Sequence, residues 1–336
     1  MKVVTFGEVL LRLSPPGFQR FVQASTLEIY AGGAEANVAV ALAQWGAKAI
    51  HVSRVPAHEV GELALGALRR YGVDTRHVLR GGERMGLYYL ENGASQRGPK
   101  VIYDRAGSSF TDLQGGLVDW PAVLDGADWF LWSGITAALG DGPRAVLREA
   151  LDAARRQGVK VAVDLNYRAK LWTVDEARAA MRPLVEGADL CVAGREDADH
   201  TLGLASGATT DDPTDPAYEA LAARLRQTLG FGAVAIALRE SFSASRHGFS
   251  ALLHTGEGPA LRSRRYEVAL VDRVGGGDAF TAGLLYGLHH RTPAEALEFA
   301  VAASCLKQTM PGDFAHVSVE EVERLAGSGA GGRVER

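Results

Sequence analysis

The sequence predicts an α/β fold, in which a doubly wound, mostly parallel sheet carries helices on both faces. Strand-like and helix-like segments alternate for most of the 336 residues. Several helical segments end at a glycine, and buried strand-like segments end in polar residues. This alternation is typical of βαβ units, whose right-handed crossovers place helices on both faces of one sheet.

The first elements of the chain have the order of one such unit. VVTFGEVLL, at 3–11, is strand-like, and AEANVAVALAQW, at 34–45, is helical and followed by Gly46 as a C-cap. AIHVSRV, at 49–55, is strand-like again.

The middle of the chain repeats this order. ADWFLWSG, at 127–134, predicts a buried strand, and GPRAVLREALDAARRQG, at 142–158, predicts an amphipathic helix that ends at its last glycine. VKVAVDLN, at 159–166, predicts the next strand.

Two regions interrupt the alternation and predict a small β lid. Residues 83–105 alternate at period two around a Gly/Asn/Pro-rich turn, which is typical of a β-hairpin, and 11–31 contain strand-like pieces broken by Pro-Pro-Gly. We expect one domain over 1–326 that includes this lid, with a surface loop at 205–216 and a disordered tail at 327–336.

The composition excludes several classes of function. The net charge of −4 gives no basic surface for nucleic acid or an anionic membrane, and the first apolar run is too short to span a bilayer. The two cysteines, Cys191 and Cys305, are far apart and predict neither a disulfide framework nor a zinc site. We therefore expect a reduced, cytoplasmic protein.

The motif RVGGGDAFTAG carries the clearest chemical signal. Gly275, Gly276 and Gly277 follow a strand-like segment, and Asp278 begins an apolar helical one. A helix N-terminus offers unpaired N–H groups and a positive dipole, and glycines let an anion approach them. Asp278 could then accept a hydroxyl proton during phosphoryl transfer. The alternative is a tight turn with a capping aspartate.

Two further stretches place polar groups where a ligand could bind. GGAEANVAVALAQWG, at 32–46, is a second glycine-led helix start, with Asn37 in its first turn. VDLNYR, at 163–168, ends a strand, and ligands of open α/β sheets bind at such ends. Arg168, and Arg105 at the end of the hairpin, could each hold a carboxylate bidentately. Taken singly, these residues also fit ordinary loops and surface ion pairs.

The two glycine motifs make the chain resemble the PfkB-type, ribokinase-like carbohydrate kinases. GGAEANVAVALAQWG is similar to the first signature of that family, and DRVGGGDAFTAGLLYGL is similar to the second. FGEVLLRLSPPGFQRF, GLYYLE, YDRAGSS, SGIT and DLNYRAKLW are most similar to the 2-keto-3-deoxygluconate kinases of the family. The resemblance implies a three-layer α/β/α fold and transfer of phosphate from MgATP to the 6-hydroxyl of that sugar acid.

The resemblance also implies residue roles. Asp278 would be the general base and the backbone of Gly275, Gly276 and Gly277 the anion hole. The sugar acid would be bound by Gly33, Asn37, Tyr88, Tyr103, Arg105, Arg168 and Asp313. The nucleotide would be bound by Asn166, Gly194, Arg239, Ser241, Ser243, Gly275 and Gly277. Asp197 would act on Mg²⁺ through water, and a monovalent cation could assist. The lid would close over the sugar and join subunits of a homo-oligomer.

Two departures from the family pattern leave alternatives open. AGREDA, at 193–198, has Gly194 where the family has an asparagine that helps to handle magnesium, and LRESFSAS, at 238–245, replaces the usual Lys-x-Gly-like ATP segment. The alternatives are a fructokinase, a kinase for an epimeric keto-deoxy sugar acid, or a catalytically weak sugar- or nucleotide-binding homologue. A dehydrogenase is disfavoured because GxGxxG is absent.

Overall fold

The computed structural model describes residues 1–208, 212–256 and 258–328. Its strands are β1 Lys2–Phe6, β2 Leu10–Ser14, β3 Glu28–Gly32, β4 Lys48–Val55, β5 Val78–Arg80, β6 Gly86–Glu91, β7 Lys100–Asp104, β8 Trp129–Ser133, β9 Lys160–Asp164, β10 Leu190–Gly194, β11 Ala233–Ser243, β12 Arg246–His254, β13 Leu261–Arg262 and β14 Tyr266–Ala269. Its helices are α1 Ala34–Gln44, α2 Glu59–Arg70, α3 Trp120–Leu124, α4 Gly134–Ala138, α5 Asp141–Gln157, α6 Val174–Val185, α7 Asp197–Leu202, α8 Ala217–Leu229, α9 Gly276–His290, α10 Pro293–Lys307 and α11 Val319–Ser328.

Ten strands form the larger sheet within the described residues, in the order β13-β12-β11-β10-β9-β8-β1-β4-β5, with β14 also paired to β12. The pairs from β11 to β5 are parallel, whereas β12 pairs antiparallel with β11, β13 and β14. The predicted mostly parallel sheet is therefore confirmed. Because β4 and β8 flank β1 on opposite sides, the strand order reverses there, and a crevice opens at the carboxyl ends of the strands.

Alternate side chains of the central strands enter two separate cores. Val3 of β1 belongs to the core formed with α1, α9 and α10, whereas Val4 and Phe6 belong to the core formed with α5, α6 and α8. The same alternation runs along β8, where Leu131 and Trp132 point to opposite cores. This pattern establishes the three layers of helix, sheet and helix.

The lid is a four-stranded sheet with the order β3-β2-β6-β7. Strands β6 and β7 form the predicted antiparallel hairpin, and β2 pairs antiparallel with β3 and parallel with β6. The expectation of one strand over 3–11 is wrong, because the chain leaves the main sheet after Phe6 and enters the lid at Leu10. At the bend, the N–H of Gly7 still bonds to Val52, and a Cβ on Gly7 would overlap the carboxylate of Glu35.

The strand registers give the lid two distinct faces. Side chains that are paired across the strands share a face. The inner row, on the side of Asp272 and Asp313, is Arg12, Tyr30, Tyr88 and Tyr103. The outer row, on the opposite face, is Leu13, Ile29, Tyr89 and Ile102.

The tip of the lid hairpin contacts the turn between β11 and β12. The N–H of Ser95 donates to the Ser245 hydroxyl at 2.8 Å, and the N–H of Ala244 donates to the Ser95 carbonyl at 2.8 Å. Ser95 has a positive φ of 54°, which is uncommon outside glycine. The lid thus contacts the main sheet at the turn that joins β11 to β12.

Some predicted irregular segments fall partly outside the described residues. Of the predicted loop at 205–216, residues 209–211 lie outside them. The first two residues of the predicted tail, 327 and 328, belong to α11, and the rest of that tail lies outside the described residues.

Candidate active site

The three glycines form the N-terminus of α9. Gly275 is the N-cap with a positive φ of 80°, and a Cβ there would overlap the carbonyl oxygen of Asp313. Gly276 packs on Gln308, and its carbonyl accepts a hydrogen bond from the Ser304 hydroxyl at 2.8 Å. Only glycine therefore fits at Gly275, and the first-turn N–H groups are left without partners in the helix.

Asp278 lies in the first turn of α9, where desolvation raises its pKa to about 7. The amide of Asn37 donates to its carboxylate at 2.6 Å, and this bond and the charge of Arg168 lower the pKa, whereas Asp313 and Glu35 raise it. The predicted Asp278 and Asn37 thus lie together although 241 positions separate them. A carboxylate with this pKa can exchange a proton near neutral pH.

Polar residues also collect at the carboxyl ends of β9 and β10. The carboxylate of Asp197 accepts the N–H of Gly194 at 2.6 Å and the N–H of Tyr167 at 3.2 Å. A Cβ on Gly194 would lie 2.6 Å from that carboxylate, so a larger residue there would require Asp197 to move. Asn166 is buried in the same loop with a φ of 38°.

Asp164 ends β9 beside this group, in the VDLNYR stretch where the sequence predicts ligand contacts at a strand end. Burial raises its pKa well above the usual value, and the charges of Asp197 and Asp278 add to the effect. The hydroxyl of Thr281 lies 3.4 Å from its carboxylate. Asp164 therefore connects the predicted metal residue to the predicted base electrostatically.

Three arginines surround the start of α9. Desolvation and repulsion from Arg273 and Arg168 lower the pKa of Arg239, and desolvation and repulsion from Arg168 lower that of Arg273. A Cβ on Gly277 would lie 3.6 Å from the guanidinium of Arg239. None of the three forms a salt bridge with a residue that the structure describes. Like charges held together in this way favour the binding of a polyanion.

The lid contributes a buried charged network. The Tyr88 hydroxyl donates to Asp313 at 2.5 Å, and Arg12 forms salt bridges with Asp272 at 2.6 Å and with Asp313 at 3.1 Å. Burial opposes the charge of Arg12, but the two carboxylates raise its pKa. Tyr103 packs beside Tyr88 with ring centroids 6.2 Å apart. This network joins the lid to the segment before α9, through Asp272, and to the segment after α10, through Asp313.

Arg105 does not stand free beside a ligand. Its guanidinium pairs with the buried carboxylate of Glu8, which also accepts the Ser108 hydroxyl. Gly33, the N-cap of α1, has a φ of 143°, and a Cβ there would overlap the carbonyl of Glu8. Glu8 thus contacts both residues: its carboxylate binds Arg105 of the lid, and its backbone carbonyl packs against Gly33.

Ser241 and Ser243 continue along β11 from Arg239 toward the turn that contacts the lid. Ser241 is exposed and pairs in register with His247, and the Ser243 hydroxyl accepts the N–H of Ser245 at 3.2 Å. The structure therefore places Arg239, and neither serine, at Gly277.

Sequence reasoning missed several charged residues of the site. Arg12, a single cation in the apolar strand LLRLS, was the strongest available signal, because a buried charge requires a partner. Glu35 accepts hydrogen bonds from the Ser133 N–H and from the hydroxyls of Ser133 and Thr136. The other missed residues are Glu8, Asp272, Arg273 and Lys307.

The described residues contain no group of three or more His, Cys, Asp or Glu side chains that could hold a metal ion. No helix among them is long and apolar enough to cross a membrane.

Comparison with known proteins gives consistent matches. A family model described as pfkB family carbohydrate kinase matches residues 1–316. A solved 2-dehydro-3-deoxygluconokinase from Thermotoga maritima is 46% identical, with a TM-score of 0.94 over 97% of this chain and 99% of its own. A 2-dehydro-3-deoxygalactonokinase from Haloferax volcanii is 36% identical over 98% of both chains.

A more distant structure shares the fold alone. It is a putative ribokinase II from E. coli, solved with ATP and Mg²⁺, which is 20% identical with a TM-score of 0.78 over 96% of this chain and 98% of its own. The match over residues 1–316 and the two full-length relatives agree with the glycine-lined helix start and its aspartate. The chain belongs to the pfkB family of carbohydrate kinases.

Proposed function

We propose that this kinase transfers the γ-phosphoryl group of ATP to the 6-hydroxyl of 2-keto-3-deoxygluconate. The observation that carries the proposal is the start of α9, where a glycine-lined helix N-terminus adjoins Asp278, a carboxylate with a pKa of about 7. In the reaction, the sugar hydroxyl loses its proton to Asp278 as its oxygen bonds to the γ-phosphorus. The bond from that phosphorus to the bridging oxygen breaks, and ADP leaves with the electron pair.

The arginine cluster supports ATP as the donor. Arg239 and Arg273 repel each other and both are repelled by Arg168, so a triphosphate beside Arg239 and Arg273 would relieve that repulsion. The first-turn N–H groups from Gly275 to Gly277 would stabilise the charge of the transferred group.

Magnesium would enter with the nucleotide. Mg²⁺ in kinases keeps several waters and is commonly held by phosphates and one or two carboxylates. Asp197 and Asp164 would hold such waters, because both lie just at the carboxyl ends of neighbouring strands, where the charge of Asp197 acts on Asp164. Bound in this way, the ion would neutralise phosphate charge.

The lid side of the site supports a keto-deoxy sugar acid. Asn37 has a buried Oδ1 without a hydrogen-bond partner among the described residues, which suits a sugar hydroxyl. Arg168 is exposed, and its side-chain hydrogen bond within the described residues goes to the carbonyl of Tyr167, so its guanidinium can hold a carboxylate. Gly33, Tyr88, Tyr103 and Asp313 complete the proposed sugar subsite, with Arg105 acting through Glu8.

The epimeric 2-keto-3-deoxygalactonate is the second candidate. The 36% identity to a kinase named for the galacto form favours it. The two acids differ only at C4, so a single hydrogen-bond partner in the sugar subsite can decide between them.

We further propose that residues 1–326 form one cytoplasmic kinase domain and that the lid joins copies of the chain. The outer row of the lid supports this assembly, because two of its apolar side chains are exposed, Ile29 by 54% and Ile102 by 44%.

A sugar panel with ADP release as the readout tests the proposed function. We expect the highest kcat/KM for 2-keto-3-deoxygluconate, a lower value for 2-keto-3-deoxygalactonate and little turnover of fructose. Asp278→Asn should lower kcat by roughly 10²–10⁴, the usual effect of a positioned proton acceptor. Asp152→Asn, on the exposed face of α5, is the matched control and should leave kcat unchanged. Preference for fructose would overturn the sugar-acid assignment, and an unchanged rate in Asp278→Asn would remove that residue from the mechanism.

A further inference from the structure

Lys307, the last residue of α10, is fully buried behind the anion hole. Its ammonium lies 3.4 Å from the carbonyl oxygens of Asp272 and Met310, and it forms no salt bridge with a described residue. A buried ammonium is costly unless its surroundings compensate the charge. The position therefore requires an explanation beyond packing, and the proposed reaction does not use this residue.

The lysine supports the segment that leads into the three glycines. A Cβ on Gly275 would lie 3.0 Å from the Lys307 Cε, so the side chain fills the space directly beneath the N-cap of α9. The next residue, Gln308, accepts the N–H groups of Val271 and Asp272 on its carbonyl at 3.0 and 3.2 Å. The end of α10 is thus joined to the start of α9 at several points.

The charges around Lys307 balance only while it is protonated. Burial lowers the pKa of Lys307, Asp272, Asp313 and Asp278 raise it, and Arg12 lowers it. His316 also lies within electrostatic reach. Arg12 and Lys307 together match the two carboxylates of Asp272 and Asp313. Without the lysine, the remaining three groups, Arg12, Asp272 and Asp313, would carry a net negative charge directly behind the proposed phosphate site.

We propose that Lys307 is a positioning residue that acts as a built-in cation for the anion hole. It holds the carbonyls of Asp272 and Met310 together, so that Gly275 keeps its left-handed conformation, and it supports the positive potential in which the transferred phosphoryl group binds. A free monovalent cation is then unnecessary, because the ammonium already occupies the carbonyl-lined position beneath the helix.

Three substitutions at this position test the proposal in the intact protein. Lys307→Met keeps the volume and removes the charge, and it should lower kcat roughly 10- to 100-fold, no more than removal of a direct anion-hole donor costs. Lys307→Arg should recover part of the loss. Lys307→Ala should recover activity when ammonium or potassium chloride is added, whereas the native protein should respond to neither salt beyond the effect of sodium chloride. Leu297→Ala, a buried change on the same helix, controls for lost stability.

The outcomes separate this proposal from the proposed sugar substrate. If no sugar acid is phosphorylated, the variants are compared by the thermal stabilisation that MgATP gives, which should be smaller in Lys307→Met than in Leu297→Ala. Native-like kcat and MgATP stabilisation in Lys307→Met, with only a lower Tm as in Leu297→Ala, would leave the lysine with a structural role and overturn the proposal. A native enzyme that is inactive until potassium or ammonium is supplied would overturn it as well.

Discussion

Two opposing effects set the pKa of the Asp278 carboxylate. Desolvation raises its pKa to about 7, and the hydrogen bond from Asn37 limits the rise. An unperturbed aspartate would be a weaker base, and without the hydrogen bond from Asn37 the pKa of Asp278 would be higher still, so less of it would be ionised at neutral pH. The amide therefore tunes the base and also positions it.

The pH dependence of turnover should report this carboxylate. Since the base must be ionised, kcat should rise with pH through an acid limb that has its midpoint near pH 7. Asn37→Ala removes a bond that stabilises the ionised form, so the limb should move to higher pH. The measurement is kcat at saturating substrate from pH 5 to 9.

Gln157→Ala, at an exposed position, is the control for that experiment and should keep the native profile. An acid limb with its midpoint near pH 4, or one that Asn37→Ala does not move, would show that another group limits turnover.

Residue chemistry was readable from the sequence only where local context sufficed. Three glycines before an aspartate and an apolar helix predict an anion hole, and α9 begins at Gly276. Arg12 could not be paired from its neighbours, because its partners Asp272 and Asp313 lie near the other end of the chain. The partner of Arg105 could not be predicted either, because Glu8 lies far away in sequence, in the connection between β1 and β2.

At the scale of an element, the start of α9 combines two kinds of glycine. Gly275 has a left-handed backbone and no space for a side chain, whereas Gly277 has a helical backbone and open space toward Arg239. The fold requires the first glycine, whereas the proposed function assigns the second to the approach of phosphate.

These two glycines should respond differently to alanine. Gly275→Ala should destabilise the protein by about 3 kcal/mol or more, because it adds backbone strain and overlap with the Asp313 carbonyl. Gly277→Ala should keep or raise the Tm, since alanine gains up to about 1 kcal/mol over glycine in a helix. It should still lower kcat about tenfold or more, because the methyl group stands beside the phosphate site. Thermal unfolding and ADP release measure the two effects.

Gly327→Ala, near the end of α11 with no atom close to the added Cβ, is the matched control. Native activity in Gly277→Ala would show that phosphate does not approach the helix there.

Elements were predictable where a period ran unbroken, and they were missed where a turn lacked a strong signal. The hairpin of β6 and β7 followed from period-two alternation and a Gly/Asn/Pro-rich turn. The segment at 3–11 has a strand-like composition on both sides of Gly7. The structure shows the break, because the N–H of Gly7 bonds to Val52 of the main sheet whereas Leu10 already pairs within the lid. Apolar composition alone could not show the change of sheet.

At the scale of the whole molecule, the lid touches the rest of the protein on one face and at its tip. Its inner row reaches Asp272 and Asp313 through Arg12, and its tip is bonded to the β11–β12 turn through Ser95. Its outer row leaves two isoleucines in solvent. A lid sheet with an exposed apolar face suits pairing with a second copy.

Charge on that outer row should prevent the pairing. The native protein should sediment as an oligomer, and the double variant Ile29→Lys with Ile102→Lys should sediment as a 35.7 kDa monomer. Val22→Lys changes a residue that is 92% exposed elsewhere on the lid, and it should leave the mass unchanged. Analytical ultracentrifugation gives the result directly. A monomeric native protein, or an oligomer that survives the double variant, would place any interface elsewhere.

The salt bridge between Arg12 and Asp313 also sets an order of events in biosynthesis. These residues lie 301 positions apart, and a ribosome adds about 5–20 residues per second, so Arg12 is made roughly 15–60 s before its partner. During that interval the lid strands can pair, but the arginine has neither aspartate. The nascent chain therefore cannot complete the proposed sugar subsite until Asp313 has been synthesised.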